Sequence, residues 1–178
     1  DLEDHNYDSF EKKSKKSSLS GNHKSLKFFN NYKQMLDECD LDIIFISVPN
    51  YLSSEITILG LEKGLHVFCE KPPGKTVEDI LKVRSVEKQN KNLKLKYGFN
   101  HRYHGSVIKA KEIIDRNEFG SIVNIRGQYG KSNIIPTNSI QWRAVKKYSG
   151  GGILLDQGIH MLDLFRFFCG SFEEVKSF

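Results

Sequence analysis

Between residues 42 and 99 the apolar positions fall into short dense blocks separated by longer, periodically mixed stretches. Asp42-Ile-Ile-Phe-Ile-Ser-Val48 is a near-continuous run of β-branched and aromatic residues that Pro49-Asn50 stops. Such a run predicts a parallel strand buried on both faces. His66-Val-Phe-Cys69 reads as a second buried strand, and Leu93 to Phe99 as a third. The stretches between them are helical. Ser53 to Lys63 places Ile56, Ile58, Leu59 and Leu61 in a helix, with Gly64 as its C-terminal cap. Thr76 to Asn90 opens on a capping threonine followed three residues later by Asp79. Strand, helix, strand, helix, strand implies βαβ crossovers and a parallel sheet. Open sheets of this kind bind ligands beyond the carboxyl ends of their strands. Pro49-Asn50, Glu70-Lys71-Pro72 and Asn100-His101-Arg102 all occupy that position.

The flanks read differently. Residues 1–25 are polar, a loop followed by a frayed helix; Phe28-Phe29 suits a short strand, and Tyr32 to Glu38 a short helix with Tyr32, Met35 and Leu36 at helical spacing. Past residue 103, Val107 to Asn117 is a helix ended by Gly120, and Ser121 to Tyr129 alternates as a strand exposed on one face would. Residues 131–149 are loop-like. Gly150-Gly151-Gly152 then opens an apolar helix from about Leu154 to Phe168, closed by Gly170, and Val175 to Phe178 begins a strand. The fold class expected is α/β: a partial Rossmann-type parallel sheet over 1–100, followed by the start of an α+β open-sheet substrate domain over 101–178.

Composition narrows the classes. With 38% hydrophobic and 28% charged residues the chain is that of a soluble globular protein, and its longest apolar run, Ile43 to Val48, is far too short to cross a bilayer. Cys39, Cys69 and Cys169 are widely spaced and in no metal pattern, which fits reduced thiols in a cytoplasmic protein. The net charge is +5, and much of the excess sits in Lys12, Lys13, Lys15 and Lys16. That run reads either as a nucleic-acid patch or as a solvated face. The second reading is preferred, because no aromatic residues interleave with the lysines; neither a nucleic-acid nor a membrane partner is expected.

Candidate chemistry concentrates at two places. Asp156 and His160 stand four apart on one predicted helix, hence on one face, and Asp163 and Phe167 continue the stripe. A carboxylate beside an imidazole fixes its tautomer and suits it to general acid–base work on a hydroxyl proton. The pair equally reads as two groups that satisfy each other on an apolar helix. A shared metal is a third reading, disfavoured because no further ligand pair is evident; no metal is expected. Gly158 between them leaves room for a ligand or another backbone, and the three preceding glycines permit a tight turn and a close approach. Lys71, at the end of a strand, is placed to stabilise a developing alkoxide, or is an ordinary exposed loop lysine. His101 and His104 flank Arg102-Tyr103, and spacing does not separate a place at the cleft from a place on a linker.

The stretch VPNYLSSEITILGLEKGLHVFCEKPPGKT, then GFNHRY, then SGGGILLDQGIHMLDL, resembles the Gfo/Idh/MocA oxidoreductases, the relatives of glucose–fructose oxidoreductase and inositol dehydrogenase. The likeness runs from about Tyr32 to the end of the chain. It implies a dinucleotide-binding domain followed by an open-sheet domain, with substrate held between the nicotinamide and that sheet. NAD or NADP is the implied cofactor, and a sugar, nucleotide sugar or cyclitol the substrate. Lys71, Asp156 and His160 match the family's catalytic positions: His160 exchanges the hydroxyl proton, Lys71 orients the hydroxyl, and Asp156 holds the polar cluster. Pro49, Asn50, Glu70 and Lys71 match positions near the cofactor, Asn100 and Arg102 the segment edging the nicotinamide pocket, and Trp142-Arg143 a pair that often reaches the cofactor. The Lys71-Pro72 bond is often cis in such proteins, and they commonly assemble as homo-oligomers.

Two departures matter. The family's opening strand and GxGxxG turn, whose backbone meets the pyrophosphate, have no counterpart here. The resemblance instead starts after the second strand, with Asp1 or Asp4 near the ribose-binding acid, so a piece truncated at both ends, itself a poor binder of cofactor, is expected. Ser53 stands where relatives often carry His. A non-catalytic sugar- or partner-binding member of the family is the alternative to a dehydrogenase.

Overall fold

The computed structural model describes residues 27–130 and 142–177. The expectations for residues 1–25, including the lysine run and Asp1 or Asp4, lie outside that description, as do residues 131–141 and Phe178. The chain divides into two compact units, Asp1–Asp37 and Glu38–Phe178. Helix α1 (Tyr32–Glu38) spans the division as the spacing predicts, but Phe28-Phe29 forms no strand.

The second unit begins with the expected parallel sheet. Strands β1 (Ile43–Ile46), β2 (His66–Cys69) and β3 (Leu95–Tyr97) lie in sequence order. Ile44 is in register with Val67, and Val67 with Leu95. The crossovers are α2 (Asn50–Glu62) and α3 (Val77–Gln89), which pack against each other and put Ile56, Leu61 and Val83 into the core with Ile44, Ile46, Val67 and Cys69. Gly60 lets α2 settle on the sheet, since a Cβ there would stand 2.6 Å from Ile44 Cδ1 and 3.1 Å from Val67 Cγ2. Burial of each such aliphatic side chain contributes about 1.5–3 kcal/mol.

The expectation of burial on both faces fails for β1 and β2. Ile44 and Ile46 are buried under α2, but Ile43 and Phe45 point the other way and Phe45 is 74% exposed. In β2, Val67 and Cys69 are buried, whereas His66 and Phe68 are only partly covered. Both crossover helices lie on one face of the sheet, so the apolar run forms a strand that is covered on one side only. Phe45 packs instead on its sheet neighbour Phe68, ring centroids 5.4 Å apart.

Beyond the sheet, Asn100–Tyr103 is a tight 3-10 turn leading into α4 (Gly105–Asp115). The helix stops before Gly120, because Asn117 already takes a left-handed conformation at φ 54°. Ser121 to Tyr129 forms no ladder with any described strand. It is chain without regular structure that brings Gly127 against Met161 and Phe165 and leaves Val123 exposed. Alternation alone does not make a strand where no neighbour supplies hydrogen bonds. The same holds for Val175 onward, where no described strand begins. Within the stretch expected to be loop, Trp142–Ala144 is a 3-10 turn and α5 (Lys146–Ser149) a single helical turn. The late helix is in two parts: a wide π-type turn over Leu154–Gly158, then α6 (Ile159–Cys169), stopped by Gly170 at φ 90°. No described helix is long and apolar enough to cross a membrane.

Candidate active site

A cleft of about 330 Å³ opens at the carboxyl ends of β1 and β2. The loop after β1 lines it with Ser47, Val48 and Pro49, the first residue of α2 with Asn50, and the loop after β2 with Glu70 and Lys71. Trp142, Arg143 and Asp156 come from the later half of the chain and close the opposite side. Of the residues expected at the cofactor, Pro49, Asn50, Glu70, Lys71, Trp142 and Arg143 thus share one cavity. Asn100 and Arg102 do not line it. Asn100 is exposed at the start of its turn. Arg102 is engaged elsewhere, its Nε and Nη2 donating to the two carboxylate oxygens of Asp163 at 2.7 and 2.5 Å, with Phe167 beneath the guanidinium at 5.1 Å. The predicted Asp163–Phe167 face of α6 is real, but it serves this clamp.

Local chemistry explains how the lining is held. The Asn50 amide donates to the Ser149 carbonyl at 2.8 Å, in a buried bond across 99 residues. Gly150, at φ 83°, lies so close to the Lys75 backbone that a Cβ there would be 2.7 Å from Lys75 Cα, which is the close approach the glycine run implied. The gap at Gly158 is filled by Leu154 of the same turn rather than left for a ligand, a Cβ there standing 2.7 Å from Leu154 Cδ1. Ser53 is buried within α2 and does not line the cleft. The Lys71-Pro72 bond is cis, as the resemblance implies.

Lys71 makes its contacts on Asp156, donating to the backbone carbonyl and, at 3.4 Å, to the carboxylate oxygen Oδ1. An ammonium has three donors, so one N–H has no partner among the described residues and is available to a ligand in the cleft that Lys71 lines. Lys71 is therefore no exposed loop lysine; its side chain is 15% exposed. Burial alone would raise the Asp156 carboxyl, but the hydrogen bond from Gln157 at 2.9 Å, Lys71 and then Arg143 outweigh it and hold the group below its usual range.

The expected Asp156–His160 pairing is absent. The wide turn at Leu154–Gly158 adds a residue to the helical repeat, so groups four apart no longer stand one above the other. Asp156 turns to Lys71, and His160 turns to His101, the two imidazoles stacked at 4.0 Å and 13°. His160 is buried, and its Nδ1 has no partner among the described residues. Burial first, then His101 and Lys71, push its pKa down to about 4, against smaller opposing effects of Asp163 and Asp156. His101, which spacing left undecided, is thus beside the site. Tyr129 stacks on its ring at 5.7 Å and His104 meets it edge-on at 5.8 Å. No signal in the sequence pointed to Tyr129 or Gln157, because their positions depend on a segment without regular structure and on the wide turn.

The comparisons agree with this architecture. Residues 7–99 match the profile described as oxidoreductase family, NAD-binding Rossmann fold, and residues 107–178 match the GFO/IDH/MocA C-terminal domain. The chain belongs to the Gfo/Idh/MocA family. It is similar to levoglucosan dehydrogenase of Pseudarthrobacter phenanthrenivorans, 32% identical over 149 residues, 83% of this chain and 38% of that protein. It is likewise similar to D-glucoside 3-dehydrogenase of Escherichia coli, 32% identical over 136 residues, 76% of this chain and 38% of that protein. Among solved structures, a levoglucosan dehydrogenase in complex with NADH and levoglucosan superposes with a TM-score of 0.76 at 31% identity, over 81% of this chain and 39% of that one. The chain thus spans under two-fifths of the length of these relatives.

The residues present fit the nicotinamide end of a dinucleotide. The cleft lies where parallel sheets bind such ligands, and it carries an ammonium with a donor unused among the described residues; the buried His160, its Nδ1 unmet among those residues, does not line the cleft but is within the electrostatic reach of Lys71.

Proposed function

We propose that the protein carrying this chain is an NAD-linked dehydrogenase that interconverts a hydroxyl and a carbonyl on a sugar or cyclitol. The observation that carries the reading is the Lys71–Asp156 contact inside a cleft at the strand ends; His160 does not line that cleft, but it is buried and within the electrostatic reach of both groups. When bound, the nicotinamide supplies the acceptor for the hydride that leaves the carbinol carbon. The chain's own residues manage the oxygen and its proton. Lys71 donates its remaining N–H to the hydroxyl oxygen and stabilises the charge that develops as the O–H bond breaks. Asp156 fixes the ammonium through two contacts and balances its charge. His160 accepts the hydroxyl proton, as the unprotonated imidazole at neutral pH is able to do. The electron pair of the O–H bond becomes the second bond of the carbonyl, and the proton ends on the imidazole. The substrates for which the chain's relatives are named, levoglucosan, inositol and a glucoside, support a sugar or cyclitol. Either NAD or NADP, and a nucleotide sugar as the substrate, are the finer alternatives.

Lys71→Met and His160→Asn test this, with levoglucosan, myo-inositol and a methyl glucoside as probes and NAD as acceptor. Each variant is expected to lose about 10²–10⁴-fold in turnover while its circular dichroism spectrum and NADH fluorescence titration stay those of the parent. Turnover within a factor of about three in either variant would remove that residue from the chemistry.

A further inference from the structure

The ring of His160 is held by more than its own helix. His101, on the 3-10 turn after β3, lies parallel to it at 4.0 Å. Tyr129, on the segment after Gly120, flanks the pair, near-parallel to His101 at 5.7 Å and 18° and to His160 at 6.4 Å and 20°. Phe99 meets the His160 ring edge-on at 6.2 Å and 87°. Three rings, two from the turn after β3 and one from a distant segment, therefore pack around one imidazole, and the buried Nδ1 finds no described hydrogen bond to fix its orientation. A histidine at a working site is ordinarily oriented by a hydrogen bond to its second nitrogen. Here packing stands in that place.

We propose that His101 is a positioning residue for His160: the stacked pair, flanked by Tyr129, sets the plane of the His160 imidazole. The inference rests on the reading of His160 as the proton acceptor, and extends it to a residue with no hydrogen-bonding role in that step. The groups facing His160 are His101 from the turn, Lys71 from the loop after β2, Asp163 from α6 and Asp156 from the wide turn. His101 and Lys71 disfavour the imidazolium and the two carboxylates favour it. Removing the His101 ring admits water to a buried imidazole and takes away one disfavouring neighbour. Both changes raise the pH at which His160 protonates.

The test compares His101→Ala, which removes the stack, with His101→Phe, which keeps a flat ring of similar size, and Tyr129→Leu, which removes only the flanking ring. The first readout is the titration of the His160 ring by histidine side-chain NMR, and the second is the split between kcat and KM on the sugar probes. His101→Ala should raise the His160 titration by about one pH unit and lower kcat about tenfold with KM little changed. His101→Phe should recover most of kcat and return the titration towards that of the parent. Tyr129→Leu should move both in the direction of His101→Ala, but less. An unmoved titration and kcat in His101→Ala would overturn the inference, and so would a His101→Phe variant as impaired as His101→Ala. The titration needs no turnover, so it still decides the role of His101 if the His160→Asn enzyme proves fully active and the dehydrogenase reading fails.

Discussion

At the scale of single residues, His160 ties the chemistry to pH. Its pKa is pushed down to about 4, first by burial and then by His101 and Lys71, below the value of about 6.5 for an imidazole in an unfolded chain. Between those two values the unfolded chain binds the proton more readily than the folded one. The stability this group contributes is therefore present above about pH 6.5 and is lost as pH falls towards about 4. Asp156, also lowered, acts in a lower window: its contribution is present above the carboxylate's ordinary range and is lost only as pH drops through its depressed folded value. Urea unfolding at steps from pH 7 to pH 4 should show the midpoint falling, and His160→Phe should flatten that fall; matching slopes in parent and variant would contradict the burial argument. The same shift bears on direction of reaction. A neutral imidazole is ready to take a proton at pH 7, whereas carbonyl reduction needs a protonated one. Oxidation should hold its rate down to mildly acid pH, and reduction should gain as pH is lowered, which initial rates in both directions across that range would read.

Elements were the most legible level, for reasons that particular residues make plain. The Asp42–Val48 run could only be a strand, because β-branched side chains in unbroken sequence fit a pleated sheet and lose freedom in a helix. Thr76 and Asp79 announced the start of α3, and the structure holds both halves of that capping box: Asp79 N donates to Thr76 Oγ1 at 3.2 Å, and Thr76 N donates to Asp79 Oδ2 at 3.2 Å. Thr76→Ala should accordingly cost about 0.5–2 kcal/mol, visible as a lower Tm, with Thr76→Asp largely restoring it. Full recovery of stability in Thr76→Ala would mean that the end of α3 is held by packing alone. What the pattern could not supply was anything decided by a partner outside the local window. The stretch Ser121–Tyr129 alternates like a strand but has no described neighbour to bond with. The late helix reads as one continuous α-helix, yet Leu154–Gly158 winds wider than α6. That single extra residue per turn separates Asp156 from His160 and gives each a different partner, a change no periodicity count of a few residues detects.

Across the second unit as a whole, the cleft exists because distant segments are pinned to each other. Asn50 reaches Ser149, Lys71 reaches Asp156, the Lys75 backbone meets Gly150, and Arg102 grips Asp163. The sequence named Asn50, Lys71, Arg102 and Asp156 from their places at strand ends and on the glycine-led helix. It could not say which would pair, since separations of 61 to 99 residues carry no local signal. Lys71 and Asp156 are the pair on which the proposed chemistry turns, and their contact is only partly exposed, 15% and 33%. Removing one partner leaves the other charge half out of water, which costs more than the contact is worth. Removing both spares that penalty. A double-mutant cycle of Lys71→Met and Asp156→Asn should therefore be non-additive in unfolding free energy by about 0.5–3 kcal/mol, with the double variant less destabilised than the sum of the singles. In turnover the non-additivity should be greater still, because the loss of Lys71 already abolishes the function that Asp156 supports. Strict additivity in both measurements would mean that the two side chains act independently, and the cleft would then lack the charge pair that links its two sides.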